Sequence, residues 1–100
     1  MIRFIGRTIK TPIVGYRHIR HQTLLKWFEE AQTVWLDSNS IEFYDSDHSV
    51  YEERFIRVGI SQKLNVLLIV FSESDLGETI RIISSRKAVK KEREQHEERV

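Results

Sequence analysis

The sequence of 100 residues contains no cysteine, a single proline and only four glycines. Without cysteine the chain has neither disulfides nor thiolate ligands for a metal, which fits a cytoplasmic protein. The few glycines form no GxGxxG or Walker motif for binding phosphate groups, and no nucleophile-elbow motif surrounds any serine. The sequence therefore gives no support to a classical hydrolase, kinase or dehydrogenase.

Long hydrophobic runs are also absent. No run of apolar residues approaches the length of a membrane span, and the basic start is not followed by the apolar segment of a secretory signal. Hydrophobic residues make up 40% of the chain and aromatic residues 10%, which is enough for a small core and unlike a disordered segment. We expect a single cytoplasmic domain over residues 1–100.

Acidic residues are missing from the first part of the chain. Residues 1–28 hold six cations and no acid, whereas residues 37–53 hold six acids and no Lys or Arg. Residues 81–93 are basic again, with six cations against Glu92. The net charge of +1 hides this uneven distribution. The two basic stretches suit contact with a polyanion, although they are equally compatible with an ordinary solvated surface.

Hydrophobic spacing predicts an α+β fold. Residues 22–36 carry apolar side chains at helical spacing. Strands are predicted at residues 41–45, 54–60, 65–72 and 78–84. The segment 65–72 is apolar on both faces, so it is predicted to be the centre of a small antiparallel sheet.

The two ends of the chain differ from this middle part. A C-terminal helix is predicted to start at a cap formed by Ser84 or Ser85 and to reach about Glu98. The segment that connects the first two predicted strands, "DSDHSVYEE" at 45–53, is polar, with room for one helical turn. Residues 1–22 are predicted to be a basic arm with at most one strand, preceding a core over residues 23–100.

The last predicted strand carries a candidate phosphate site. Alternation places Arg81 on the face opposite Ile80 and Ile82, where its stem can be buried and its guanidinium exposed for phosphate contact. Arg86 and Lys87 would follow at the start of the last helix, whose free N–H groups attract anions. Alternatively, Arg81 pairs with an acid such as Glu53 or Glu78, and the other cations only solvate the surface.

The histidines give little support for a metal site. Of the four in the chain, His18 and His21 are three residues apart, which would place both on one face of a helix. No third ligand accompanies them in the sequence. We therefore predict no metal ion and no cofactor, and we expect His48 to belong to a turn.

Four segments resemble a known family. The stretches "FEEAQTVWLDS", "DSDHSVYEERFIRVGIS", "LLIVF" and "IRIISSRKAVKKEREQHEE" are similar in order and spacing to the BrnT toxins of bacterial type II toxin–antitoxin systems. The resemblance runs from about Phe28 to the C-terminus. It implies a RelE-like fold, a cytoplasmic ribonuclease activity and neutralisation by a ribbon-helix-helix antitoxin of the BrnA type. It further implies a hetero-oligomer, often two-plus-two, that contacts operator DNA only through the antitoxin.

The resemblance also implies roles for individual residues. The family's charged positions fall on Glu53, Arg54, Arg81, Arg86, Lys87, Glu92 and Arg93. Arg81 and Arg86 are expected to hold the scissile phosphate, with Arg54 nearby. Lys87 and Lys90 are expected to contact RNA. Glu53 or His21 is the expected general base, although Glu53 could instead form an ion pair that orients Arg54 or Arg81.

The N-terminal region departs from the family pattern. The family's K-H-G turn would fall on Thr23, Leu24 and Leu25, none of which matches, and no W-D precedes it. A shifted reading frame, a different start or true divergence would each explain this difference. Three functions therefore remain open: a ribonuclease toxin, an inactive BrnT-like protein that only binds an antitoxin, and a small RNA-binding domain without catalysis.

Overall fold

In the part of the chain that the structure describes, six strands and two helices follow one another. The computed structural model describes residues 2–4, 7–10, 21–49, 52–74 and 78–98. The strands are β1 (Ile2–Phe4), β2 (Arg7–Lys10), β3 (Ile41–Tyr44), β4 (Arg54–Ile60), β5 (Val66–Ser74) and β6 (Thr79–Lys87). The helices are α1 (His21–Gln32), which continues as a 3-10 turn over Thr33–Leu36, and α2 (Lys90–Glu97). A second 3-10 turn, Ser46–His48, supplies the expected helical turn before β4.

The strands form one sheet in the order β1-β2-β6-β5-β4-β3. The four strands from β3 to β6 are antiparallel to their neighbours, and β2 joins the edge of β6 in parallel. The α+β prediction is confirmed, including the internal position of β5 and the helices before and after the antiparallel strands. The N-terminal arm was predicted to hold one strand at most, but β1 and β2 form a hairpin on the sheet. Residues 11–20 of this arm, with His18, lie outside the described residues.

One face of the sheet, which we call the α1 face, carries the main core. The helix α1 and the following turn place Phe28, Ala31, Val34 and Trp35 against it. The sheet contributes alternate residues of β5 and β6: Leu67, Ile69, Phe71, Ile80 and Ile82. Burial of these large apolar side chains provides most of the driving force for folding. Because Ile80 and Ile82 are buried there, Arg81 lies on the other face, as alternation predicts.

The opposite face, which we call the α2 face, is covered less completely. Val58, Leu68 and Ala88 are buried there, with Ile56 and Val70 packed against them. The helix α2 contributes few apolar side chains, and it is anchored through His96, whose ring lies 2.8 Å from Asp37. The part of the α2 face that lies far from His96 is therefore not covered by the helix.

The boundary between β6 and α2 differs from the prediction. The expected caps, Ser84 and Ser85, pair with Val70 and Ile69 of β5, so β6 continues to Lys87 and the helix begins only at Lys90. The long partner strand explains this result, because continued pairing satisfies backbone groups that a helix starting at residue 85 would leave open. Arg86 and Lys87 are thus strand residues and do not start the helix.

Candidate phosphate-binding site

Two arginines and a serine form a row across three strands. In the register of the sheet, Arg54 of β4 is opposite Ser72 of β5, and Ser72 is opposite Arg81 of β6. Directly opposed residues of antiparallel strands share a face and have Cβ atoms about 5 Å apart, so two neighbouring rungs separate the arginines by roughly 10 Å. Lys10 of β2 occupies the next register position beyond Arg81. The sheet therefore brings Arg54 and Arg81 together, although they are 27 positions apart in the sequence.

Arg81 lines a shallow recess of about 150 Å³ at this end of the sheet. The other lining residues are Glu52, Ser72, Glu73, Ser74 and Thr79. Arg81 is half-buried, and among the described residues its guanidinium has no ion-pair partner. In particular, neither Glu53 nor Glu78 pairs with it. The alternative prediction from the sequence, that Arg81 pairs with one of these acids, is therefore not met. A half-buried cation without a counterion is suited to receive an anion from solution.

Arg54 has an acidic neighbour, Glu52, at this end of the sheet. Its Nε atom lies 3.6 Å from Oε1 of Glu52, and both side chains are between one third and one half exposed. The Nε atom is buried and has no hydrogen-bond partner within the described part of the chain. The row therefore combines a loosely paired arginine with an unpaired one.

Arg86 is on the same face, but its guanidinium is already paired with Glu92. Its two terminal nitrogens donate to the two carboxylate oxygens of Glu92, at 2.8 and 2.9 Å. Oε1 of Glu92 also accepts the N–H of Val89 at the start of α2, at 2.8 Å. The hydrogen bond from Arg86 lowers the pKa of Glu92, and the same bond raises the pKa of Arg86. The anion that the helix start attracts is thus a side chain of the protein itself.

The distance between the two arginines follows from the sheet register. Arg86 is opposite Leu68, whereas Arg81 is opposite Ser72. These two residues of β5 are four positions apart, which corresponds to roughly 13 Å along the strand. Arg86 therefore lies outside the recess that Arg81 lines.

The other predicted site residues are spread around the molecule. Glu53 is exposed just before β4, and Lys90 is exposed at the start of α2, with Nζ 4.0 Å from Oε1 of Glu94. Lys87 is opposite Leu67, a residue of the α1-face core, so it belongs to the face that does not carry Arg81. His21 is the first residue of α1.

Sequence reasoning missed Glu52 as a member of the site. Its position could have been suspected from spacing alone, because residues i and i+2 of an extended chain share a face. Glu52 precedes Arg54 by two, whereas Glu53 precedes Phe55 by two, and Phe55 packs against the α1-face core. The family resemblance instead indicated Glu53.

A larger groove adjoins the row on the α2 face. It encloses about 540 Å³ between α2 and the sheet. Its apolar lining consists of Phe43, Ile56, Leu68 and Val70, and its polar rim includes Arg86, Lys91 and Gln95. Phe43 is 41% exposed. Val70 and Ser72 are two residues apart on β5, so the groove and the arginine row form one continuous surface.

Two further observations concern metals and membranes. Within the ranges that the structure describes, no three His, Asp or Glu side chains gather into a group that could hold a metal ion. None of the helices in those ranges has the length and apolar character needed to cross a membrane.

Comparison with known proteins identifies the family. The model of a family described as "Ribonuclease toxin, BrnT, of type II toxin-antitoxin system" matches residues 26–92 of the chain. A search of curated proteins finds no match. The family match begins two residues before the point where the sequence resemblance starts, and it includes every residue of the arginine row in β4, β5 and β6. The chain therefore belongs to the BrnT family of ribonuclease toxins of type II toxin–antitoxin systems.

Proposed function

We propose that this toxin cleaves RNA without a metal ion and that Arg81 binds the scissile phosphate, with Arg54 beside it. The observation that carries the proposal is the half-buried guanidinium of Arg81, which has no ion-pair partner among the described residues. A guanidinium presents donors in a planar fork that matches two phosphate oxygens. Ser72 lies between the two arginines and offers a hydroxyl group to the same phosphate.

The proposed reaction is transfer of the phosphate within the RNA chain. A base removes the proton of the 2′-hydroxyl, the bond between O2′ and phosphorus forms, and the bond between phosphorus and O5′ breaks. The products are a 2′,3′-cyclic phosphate and a 5′-hydroxyl. Arg81 and Arg54 would stabilise the negative charge that gathers on the phosphorane oxygens. One contact of this kind contributes about 3 kcal/mol to lowering the barrier. The family resemblance suggested Glu53 or His21 as the base, but Glu53 is not among the residues that line the recess beside Arg81.

Arg81→Gln tests the proposal. The variant should lose about 10²–10³-fold in cleavage rate, the usual loss for one charge-stabilising contact. Purified protein is incubated with a labelled single-stranded RNA in the presence of EDTA, and product ends are analysed for the 2′,3′-cyclic phosphate. Lys63→Gln is the matched control, because it removes the same charge from an exposed turn at the opposite end of β4 and β5. Arg86→Gln should lose less, since Glu92 already occupies that guanidinium.

The results separate the open functions. Cleavage by Arg81→Gln at the normal rate would contradict the phosphate-binding role, and inhibition by EDTA would contradict metal independence. If the unaltered protein leaves RNA intact but binds its antitoxin, it is an inactive member of the family. Salt-sensitive RNA binding without cleavage would indicate an RNA-binding domain.

The partner follows from the family. A type II toxin implies an antitoxin that neutralises it. We propose that this antitoxin is a ribbon-helix-helix protein of the BrnA type, that it forms a hetero-oligomer with the toxin in the cytoplasm, and that DNA is contacted only through it. Co-expression of the chain with the product of the neighbouring gene should relieve growth arrest and yield a complex that co-purifies. A toxin that remains active beside that product would contradict the assignment of the partner.

A further inference from the structure

The recess beside Arg81 contains a carboxylate that is positioned to accept a proton from a bound substrate. Glu52 lines the recess together with Arg81, Ser72 and Thr79. Its Oε1 atom lies 3.6 Å from Nε of Arg54, which is longer than a hydrogen bond, and its side chain is 41% exposed. Glu52 is therefore held close to both arginines without being fully engaged by either.

The neighbouring glutamate is placed differently. Glu53 is exposed, forms no ion pair with any residue that the structure describes, and does not line the recess. The two residues are chemically identical and adjacent in the chain. Of these two residues, Glu52 is the one that lies within reach of an anion bound between Arg54 and Arg81.

We propose that Glu52 is the general base that accepts the proton of the 2′-hydroxyl; this inference rests on the proposed function. A phosphate held by Arg54 and Arg81 brings its ribose to the mouth of the recess, where the free oxygen of Glu52 is available. As the proton passes to Glu52, O2′ bonds to phosphorus, the P–O5′ bond breaks, and the leaving O5′ takes a proton from water. A general base accepts a proton only in its ionised form, so a carboxylate in this role predicts an acid limb in the pH–rate profile.

The charged groups that face Glu52 come from each strand around the recess. They are Arg54 of β4, Glu73 of β5 and Arg81 of β6. Glu73 is the second carboxylate that lines the recess, so its variant is needed as a control.

The experiment compares Glu52→Gln with Glu53→Gln, a matched pair with the same change at adjacent positions. For Glu52→Gln we expect kcat to fall by about 10²–10⁴-fold, the usual contribution of a general base. KM and the binding of a 2′-O-methyl RNA, which cannot be cleaved, should stay the same. The acid limb of the pH–rate profile should disappear in the residual activity. Glu53→Gln and Glu73→Gln should keep the rate and the acid limb of the unaltered protein, and Glu52→Asp should recover part of the rate.

Each other outcome has a definite meaning. A normal rate for Glu52→Gln, with Arg81→Gln inactive, overturns the role of Glu52 and leaves the proposed function standing. A slow variant that keeps the acid limb shows that Glu52 only positions Arg54, which also overturns the assignment. If neither Glu52→Gln nor Arg81→Gln reduces cleavage, the proposed function fails as well. Thermal unfolding of each variant excludes loss of the fold as the cause of a low rate.

Discussion

At the scale of single residues, Asp37 is a buried carboxylate with three hydrogen-bond contacts. It accepts the N–H of Ile60 at 2.9 Å and that of Asn39 at 2.9 Å, and its Oδ2 lies 2.8 Å from Nε2 of His96. Its side chain is only 7% exposed. Asp37 thereby ties the end of β4 and the helix α2 to the turn that follows α1. Gly59 permits this close approach, because a Cβ there would come within 2.7 Å of Val34.

These contacts make folding stability depend on pH. Burial raises the pKa of Asp37, but the two backbone N–H groups and His96 outweigh it, so the pKa lies below its ordinary value. A lowered folded-state pKa means that the stabilisation is fully present above the unfolded-state pKa, which is about 3.9. It is lost as pH falls from there through the folded-state pKa. The free energy of unfolding should therefore decline in the acid range.

Asp37→Asn should remove that part of the acid dependence. We expect it to cost about 1–3 kcal/mol near neutral pH, because buried donors lose a charged acceptor. Urea unfolding at a series of pH values measures both effects. Asp47→Asn, at an exposed aspartate of the turn before β4, is the control. If Asp37→Asn kept the full pH dependence of the unaltered protein, the stabilising role of this carboxylate would be refuted.

At the scale of secondary-structure elements, β6 decides which residues face the groove. Arg81 and Arg86 are five positions apart, so a regular strand would place them on opposite faces. The register shifts between Val70 and Phe71 of β5, and the extra residue on β6, Ile83, forms a bulge that resets the alternation. Both arginines consequently lie on the α2 face. Alternation in the sequence predicts the face of Arg81 correctly, but it cannot reveal a bulge that depends on pairing with another strand.

The start of α2 depends on a single side chain. Glu92 binds the guanidinium of Arg86 and also accepts the N–H of Val89, so it joins the end of β6 to the helix. Its lowered pKa means that this stabilisation is present above the ordinary pKa of glutamate and is lost as pH falls through the folded-state value. Such a cap contributes about 1 kcal/mol.

Glu92→Ala should therefore destabilise the protein by about 1 kcal/mol and loosen the first turn of α2. Amide hydrogen exchange should show faster exchange in residues 90–93, and chemical unfolding gives the free-energy change. Glu94→Ala is the matched control, because its contact with Lys90 is exposed and 4.0 Å long. Equal effects of the two substitutions would show that Glu92 is an ordinary surface residue.

At the scale of the whole molecule, the predictable features are those that local patterns determine. The strands β3 to β5 and the helix after residue 21 follow from alternation and helical spacing over short segments. The parallel pairing of β2 with β6 brings Lys10 beside Arg81, and no local pattern encodes it because 71 positions separate the two. The same limit applies to the candidate site. Arg81 could be recognised from its strand, but its lack of a partner and its proximity to Glu52 depend on three strands meeting.

The distribution of cations over the whole surface allows a last prediction. The net charge of +1 gives no general attraction for RNA, so binding must depend on a few phosphate contacts. Each phosphate neutralised on a single strand contributes about 0.7 to the slope of log K against log salt concentration. Arg54→Gln and Arg81→Gln should each reduce the magnitude of that slope by about 0.7, measured with an uncleavable 2′-O-methyl RNA.

Lys87→Gln supplies the decisive comparison, because it removes the same charge from the opposite face of the same strand as Arg81. If RNA lies on the α2 face, Lys87→Gln should leave the slope unchanged, as should Lys63→Gln in the distant hairpin turn. Lys87 was expected from the family resemblance to contact RNA, so a reduced slope would show that the RNA extends around the edge of the sheet. Equal losses from Lys63, Lys87 and Arg81 would mean that binding follows overall charge, and the row across β4, β5 and β6 would then have no special role in holding RNA.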